Sequence, residues 1–375
     1  MQITNPFITK GYAGAAYFCD RKKETEHLTN LLTNGNNVAL ISPRRMGKTG
    51  LLMHCFTRSS LKKDYYTFII DIYATKSLRE FVFELGKEIL NVLKPKSKKA
   101  LEYFLSCLTS IRTGISYDST GSPSWSVELG DIHSPSVTLD EIFRYLNGAD
   151  KPCIIGIDEF QTIINYPENN TEAVLRTYIQ HSPSVHFVFA GSQRTMMSEM
   201  FVSPARPFYQ SVFMMELGRI PLAEYIPFIT RHFADGRKEI EKSAIETVYN
   251  QFEGITWYIQ QIMNILYMQT PTGGICTVTS IEAAIRSLLD SMDGIYAALL
   301  YQLNEKPKQL LIAISKERKA TGITSAEFVK KHRLTSASSV QAAAKVLLDR
   351  QLVTCENGIY EPYDKLFTIW MNDER

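Results

Sequence analysis

The chain of 375 residues contains no apolar run near the ~18 residues that a membrane-spanning helix needs. Its first residues, Met1-Gln-Ile-Thr-Asn-Pro6, lack the basic start and apolar stretch of a secretory signal, so a cytoplasmic location is expected. The six cysteines (19, 55, 107, 153, 276 and 355) are scattered without a CxxC pair. That argues against structural disulfides and a zinc site, and for buried reduced thiols. The seven histidines do not cluster. His54 and His186 sit in apolar runs, where a core or helix-surface role is expected. A net charge of +2 gives no strongly basic or acidic surface to attract nucleic acid or cations. What remains is 45% hydrophobic and 21% charged, the composition of an ordinary globular protein with two or three domains.

Apolar runs and turn residues order the chain. Residues 1–20 read as a loop, with Asp20 capping a helix through Leu32. Val38–Ile41 is a buried strand, followed by a loop and a helix from Lys48 to Phe56. Tyr65–Ile72, Pro152–Ile157 and Val185–Ala190 are further strands. Helices are expected at 78–93, 139–146 and 171–179. This alternation implies a parallel sheet with helices on both faces. Lys94–Lys99 reads as a solvated turn, and 110–137 as a β-hairpin insert with a Gly/Ser/Pro tip. From about Glu216 strand signals stop. Helices follow at 223–233, 240–252, 255–268 and 280–303.

The loop after the first strand is Ser42-Pro-Arg-Arg-Met-Gly-Lys-Thr-Gly50. Gly47-Lys48-Thr49 has the order a phosphate-binding loop needs. Gly47 lets backbone amides turn toward phosphate oxygens, Lys48 supplies a point charge, and Thr49 offers a hydroxyl to Mg²⁺ at a helix N-terminus. Ser42 stands where such loops usually begin with glycine. Downstream, the strand through Ile157 ends in Asp158-Glu159. Asp158 suits the holding of Mg²⁺, and Glu159 the polarising of an attacking water. The strand through Ala190 ends in Gly191-Ser192. Ser192 or Gln193 could sense a γ-phosphate, or Ser192 could simply cap a helix. Arg21, ahead of the first strand, could meet base or phosphate, although spacing alone favours a surface helix of mixed charge.

These residues resemble the STAND branch of the AAA+ ATPases, and within it the prokaryotic "archaeal ATPase" family. Arg21 and Glu24 match the family's hydrophobic-Gly-Arg-Glu-x-Glu box, with Asp20 and Lys22 departing from it. Ser42–Thr49 is similar to its Walker A and Ile154–Glu159 to its Walker B. Phe189-Ala-Gly-Ser192 resembles the sensor-1 strand. Gly254-Ile-Thr-Trp-Tyr258 resembles the Gly-x-Pro-x-Tyr turn of the helical lid, with Thr256 in place of Pro. The resemblance implies an ATP-driven conformational switch using ATP/ADP and Mg²⁺. Arg21, Ser42, Pro43, Arg44, Arg45, Met46, Gly47, Lys48, Thr49 and Gly50 would bind nucleotide. Thr49 and Asp158 would hold the metal, while Glu159, Asp158 and Ser192 would serve catalysis. Arg44 and Arg45 are either extra phosphate ligands or anchors to the lid. Arg176, Arg194, Arg206 and Arg219 are all candidates for an arginine donated to a neighbouring subunit.

Three helices (307–315, 322–331 and 336–348) and a hairpin turning at Asn357-Gly358 form a winged helix-turn-helix pattern. Residues 304–375 carry twelve Lys and Arg against nine Asp and Glu, a balance of +3. That is a mild footprint, and the would-be reading helix has Gln341 and Lys345 but no arginine before Arg350. Packing or a protein partner, including self-association, is therefore expected before duplex DNA. The chain is read as an ATPase domain (1–215), an α-helical lid (216–303) and a winged helix (304–375). The alternative is a DNA-binding or mobile-element regulator that nucleotide modulates.

Overall fold

The computed structural model describes residues 4–93, 98–110, 115–117, 123–125 and 128–373. Contact density divides the chain into two compact units, Met1–Gly236 with Glu253–Asn264, and Arg237–Phe252 with Ile265–Arg375. This differs from the three-part reading, because the helices after Glu216 are shared between the units.

In the first unit the order is α1 (Lys22–Thr33), β1 (Val38–Ile41), α2 (Lys48–Thr57), α3 (Ser59–Asp64), β2 (Tyr66–Asp71), α4 (Leu78–Val92) and α5 (Lys98–Cys107). Then come β3 (Ile115–Tyr117), β4 (Pro123–Trp125), α6 (Pro135–Asn147), β5 (Cys153–Asp158), α7 (Thr171–Gln180), β6 (Val185–Gly191), α8 (Arg194–Val202), β7 (Phe213–Glu216) and α9 (Leu222–Asp235). The sheet runs β2-β5-β6-β1-β7, with every neighbour parallel. β1 and β5 are buried at every position, which is why both read as unbroken apolar runs. Alternate residues feed two cores. Ala39, Ile41, Ile155, Ile157, Phe187 and Phe189 join α4, α6 and α8 on one face. Val38, Leu40, Ile154, Val188 and Ala190 join α1 and α2 on the other. Gly156 fits this packing, since a Cβ there would lie 3.3 Å from the Phe56 ring.

Several expectations need correction. Asp20 does not cap α1: Arg21 occupies that position in a left-handed conformation, with no side-chain cap. Lys98 and Lys99 open α5 rather than a solvated turn, and 94–97 lie outside the described residues. The hairpin insert is present as antiparallel β3 and β4, its tip at 118–122 being outside the described residues. Strands also continue to and past Glu216. β7 pairs with β1, and two-residue strands occur at Glu239–Ile240 (β8) and Ile275–Cys276 (β9).

The second unit contains β8, α10 (Lys242–Gln251), the end of α11 (Thr256–Gln269), β9 and α12 (Thr279–Tyr301). Its last part is α13 (Glu305–Glu317), β10 (Ala320–Thr321), α14 (Ala326–Lys331), α15 (Ala337–Asp349), β11 (Val353–Glu356), β12 (Ile359–Pro362) and α16 (Lys365–Asn372). β10, β12 and β11 form an antiparallel sheet. Ser325 and Ser336 cap α14 and α15 by accepting from Phe328 N and Ser339 N. Of the six cysteines five are buried, and Cys355 is exposed.

Candidate functional site

β6 lies between β1 and β5, so the carboxyl ends of all three strands come side by side. Ile41 is level with Gly191, and Ser42 N donates to Gly191 O at 3.2 Å. Register alone therefore brings the 42–50 loop, Asp158-Glu159 and Ser192 together, at the sheet edge where open α/β folds bind ligands.

The loop turns through Arg45 at φ 70° and Gly47 at φ 95°, and α2 starts at Lys48. Glycine adopts the second angle without strain, while Arg45 has a Cβ to accommodate and must be held by its surroundings. Its carbonyl accepts from Trp257 N at 3.0 Å, and its guanidinium sits 4.5 Å from the Trp257 ring centroid and 5.1 Å from that of Tyr258. It also donates to the Tyr258 hydroxyl. Arg45 is thus an anchor to the first turn of α11. Arg44 lies over the Tyr73 ring at 5.1 Å and also lines the cleft. Met46 is buried, and its carbonyl accepts from Arg21 at 3.2 Å and from Thr256 Oγ1 at 3.4 Å. Arg21 is 2% exposed and donates further to Glu24 at 2.8 Å and to Gly218 O at 2.7 Å. Arg21 thereby ties the start of α1 to Met46 of the loop and to Gly218.

Lys48 Nζ donates to Ser42 O at 3.0 Å, folded back across its own loop. Burial pushes the Lys48 ammonium down from the usual lysine range, against the pull of Glu159 and Asp158. Burial likewise pushes the Asp158 carboxyl up, opposed by the Thr49 hydrogen bond and by Lys48. Thr49 Oγ1 donates to Asp158 Oδ2, and Glu159 N to Asp158 Oδ1 at 3.0 Å. Glu159 itself sits at φ 54°. Its Oε2 accepts from Ser192 Oγ at 2.6 Å and from Gln161 Nε2. Ser192 therefore bonds Glu159 and caps no helix, for α8 follows Gln193 without a side-chain cap.

A cleft of about 340 Å³ opens beside these groups, lined by residues 44–50, Arg21 and Glu159. Ser42, buried behind the loop, donates its Oγ to Pro43 O at 3.1 Å. The lining also includes Phe18 and Trp257, and two residues that sequence reading passed over, Tyr12 and Gln260. Tyr12 belongs to an N-terminal strap held by Asn5 Nδ2 to Asn264 O (2.9 Å), Asn264 Nδ2 to Phe7 O (2.7 Å) and the buried Phe7 ring. Its hydroxyl meets His54 Nδ1 at 2.8 Å, and the His54 ring stacks on Phe18 at 4.4 Å. Nothing in a loop-like N-terminus signalled this, whereas Trp257 lay in the Gly254–Tyr258 turn already singled out. Among the four candidate arginines, Arg194, Arg206 and Arg219 pair with Glu216, Glu172 and Glu253 at 2.8, 2.7 and 3.1 Å. Arg176 has a buried Nε without a hydrogen-bond partner among the described residues.

A family model described as an ATPase domain predominantly from Archaea matches residues 18–262, and one described as a probable winged helix domain matches 294–373. Among curated protein sequences none matches significantly. Solved structures do. A Walker-type ATPase of Pyrococcus abyssi aligns over 98% of this chain and 99% of its own, with a TM-score of 0.67 at 17% identity. The Aeropyrum pernix ORC2 protein in its ADPNP–ADP complexes aligns over 98% and 96%, with a TM-score of 0.57 at 14% identity. The Aeropyrum pernix ORC1 protein in complex with DNA aligns over 95% and 93%, with a TM-score of 0.53 at 10% identity. At these identities the structures share a fold with the chain. The ATPase match spans more than half of the sequence and includes every strand of the parallel sheet and the loop at its edge, so the chain belongs to the family of ATPase domains found predominantly in Archaea.

Proposed function

We propose that the protein is a Mg²⁺-dependent ATPase that turns over slowly and works as a STAND-type switch, coupling nucleotide state to domain rearrangement and a partner. One observation carries this reading: three adjacent strand ends bring Lys48, Thr49 and Glu159 to the wall of one cleft, with Asp158 bonded to Thr49 and Ser192 bonded to Glu159 behind them. The amides of residues 46–50 at the start of α2 cradle the phosphates, helped by the helix dipole. Lys48 exchanges Ser42 O for phosphate oxygens.

The donors at Thr49 and Asp158 are a hydroxyl and a carboxylate already joined by a hydrogen bond, the hard oxygen set that Mg²⁺ accepts. When bound, the ion would neutralise negative charge on the phosphates. Glu159 takes a hydrogen bond from the attacking water and aligns it on the γ-phosphorus. The water oxygen bonds to the γ-phosphorus as the bond to the β–γ bridging oxygen breaks, ADP leaves with the electron pair of that bond, and the water's proton passes to the phosphate product or to solvent. With a partly dissociative transition state, orienting the water contributes more than proton removal does.

Titration with a labelled ATP analogue tests the binding half. Lys48→Ala should bind roughly tenfold to a hundredfold more weakly, as expected for loss of a charged hydrogen bond. Glu159→Gln should bind normally and lose at least about a hundredfold in turnover. Wild-type turnover in that variant would remove Glu159 from its role. A second reading, DNA-binding regulation through the winged helix, draws on the 294–373 match and on the DNA complex of one structural neighbour.

A further inference from the structure

Gln161 is a side chain that neither the Walker motifs nor the core explains. It lies in the 3₁₀ turn Phe160–Asn165 after β5 and is 2% exposed. The same turn contributes Phe160 to an apolar cluster with Phe189, Met197 and Phe201. Gly191, the last residue of β6, makes room for the Gln161 amide. A Cβ there would lie 2.4 Å from Met197 Sδ and 2.6 Å from Gln161 Oε1. The buried Oε1 has no hydrogen-bond partner among the described residues. A buried amide oxygen left without a partner subtracts from stability, and an apolar side chain of the same length would remove that cost. The amide nitrogen supplies the reason for a polar residue here: it donates to Glu159 Oε2. A carboxylate only accepts, so the NH₂ end of the amide must face it.

Glu159 needs such support. It sits at φ 54°, off the end of the strand, where regular strand geometry no longer aims its side chain. Gln161 and Ser192 both bind Oε2, leaving the second oxygen, Oε1, to accept from water. We propose that Gln161 is a positioning residue for ATP hydrolysis, holding Glu159 by one carboxylate oxygen so that the other aligns the attacking water. This rests on the role assigned to Glu159 above.

The test uses the full chain and single-turnover hydrolysis, which reports the chemical step, alongside the dissociation constant of a labelled ATP analogue. Gln161→Met, close in shape and without a donor, should slow hydrolysis by roughly tenfold or more, as loss of a supporting hydrogen bond does around metal-ligand side chains. Its nucleotide affinity should stay within about twofold, and its thermal midpoint should not fall. Gln161→Glu places a second carboxylate beside Glu159 and should be at least as slow at unchanged affinity. Unchanged or faster hydrolysis in Gln161→Met overturns the proposal. So does a loss of rate matched by losses of affinity and thermal midpoint, which marks a structural residue. Glu159→Gln measured alongside separates the two claims. If it hydrolyses at the wild-type rate, the role of Glu159 fails. If it is inactive while Gln161→Met is fully active, only the positioning role fails.

Discussion

Asp158 and Lys48 are buried charges of the site, 5% exposed each, and burial works against both. Their mutual attraction lowers this cost without cancelling it. For Asp158 the folded-state carboxyl is raised above its ordinary range. Its contribution to stability is therefore complete below that range and is lost as pH rises through the raised value. Asp158→Asn keeps the shape and removes the titration. The variant should melt higher than wild type at neutral pH without nucleotide, and the gap should close as pH falls below about 4, the ordinary aspartate range. A lower midpoint at neutral pH would show that pairing with Lys48 outweighs desolvation. The same variant should lose Mg²⁺-dependent turnover, the familiar exchange of stability for activity. At this scale sequence reading singled out Lys48, Thr49, Asp158 and Glu159 from the order that phosphate and metal chemistry asks for, and the fold places them side by side. It was ineffective for Gln161 and Tyr12, whose importance comes only from what stands beside them.

The loop and α11 form the next level. Several contacts join them: Trp257 N to Arg45 O, the Arg45 guanidinium over the Trp257 and Tyr258 rings, its bond to the Tyr258 hydroxyl, and Thr256 Oγ1 to Met46 O. The turn at Gly254 (φ 70°) sets this geometry, and Thr256 performs there with its hydroxyl a task that proline could not. We expect movement of the phosphate loop to be felt at the start of α11 through these contacts. Trp257, one of three tryptophans, should change its emission when nucleotide binds, and Trp257→Phe should abolish that change. Arg45→Ala removes a stacked cation, an interaction of about 0.5–2 kcal/mol. It should weaken nucleotide binding by roughly twofold to thirtyfold and uncouple the Trp257 signal from binding. An Arg45→Ala protein with normal affinity and a normal signal would contradict the coupling. Elements buried at every position, β1 and β5, or at all but one, β6, were legible as apolar runs. β7 was not: only Met215 of its four residues is buried, so this edge strand carries no pattern, and its pairing with β1 makes it a strand.

For the whole molecule the open matter is what the winged-helix segment engages. Several of its cations are already paired. Glu317 accepts from Lys331 at 2.6 Å and His332 at 2.9 Å, while Glu361 accepts from Lys365 at 2.7 Å and Lys319 at 3.3 Å. Exposed pairs of this kind contribute little stability, but they lower the charge offered to phosphates. We expect duplex DNA binding to be weak near 0.15 M salt, with a nearly flat plot of log affinity against log salt. A steep linear plot would favour the regulator reading. Among the described residues no helix is long and apolar enough to cross a membrane.

By itself the sequence determined the local chemistry: a bend at Gly47, a cation at Lys48, a hydroxyl at Thr49, acids at 158 and 159, and the apolar runs that become the inner strands. Each follows from properties of nearby residues, namely backbone freedom, charge and hydrophobic periodicity. Only the tertiary structure decided which strand ends meet. Placing β6 between β1 and β5 brings Ser192 onto Glu159, and the folded N-terminal strap and α11 turn bring Tyr12 and Trp257 to the same cleft. These partners lie tens to hundreds of positions apart along the chain. Their meeting depends on burying two apolar faces of one sheet at once, which no local window of sequence encodes.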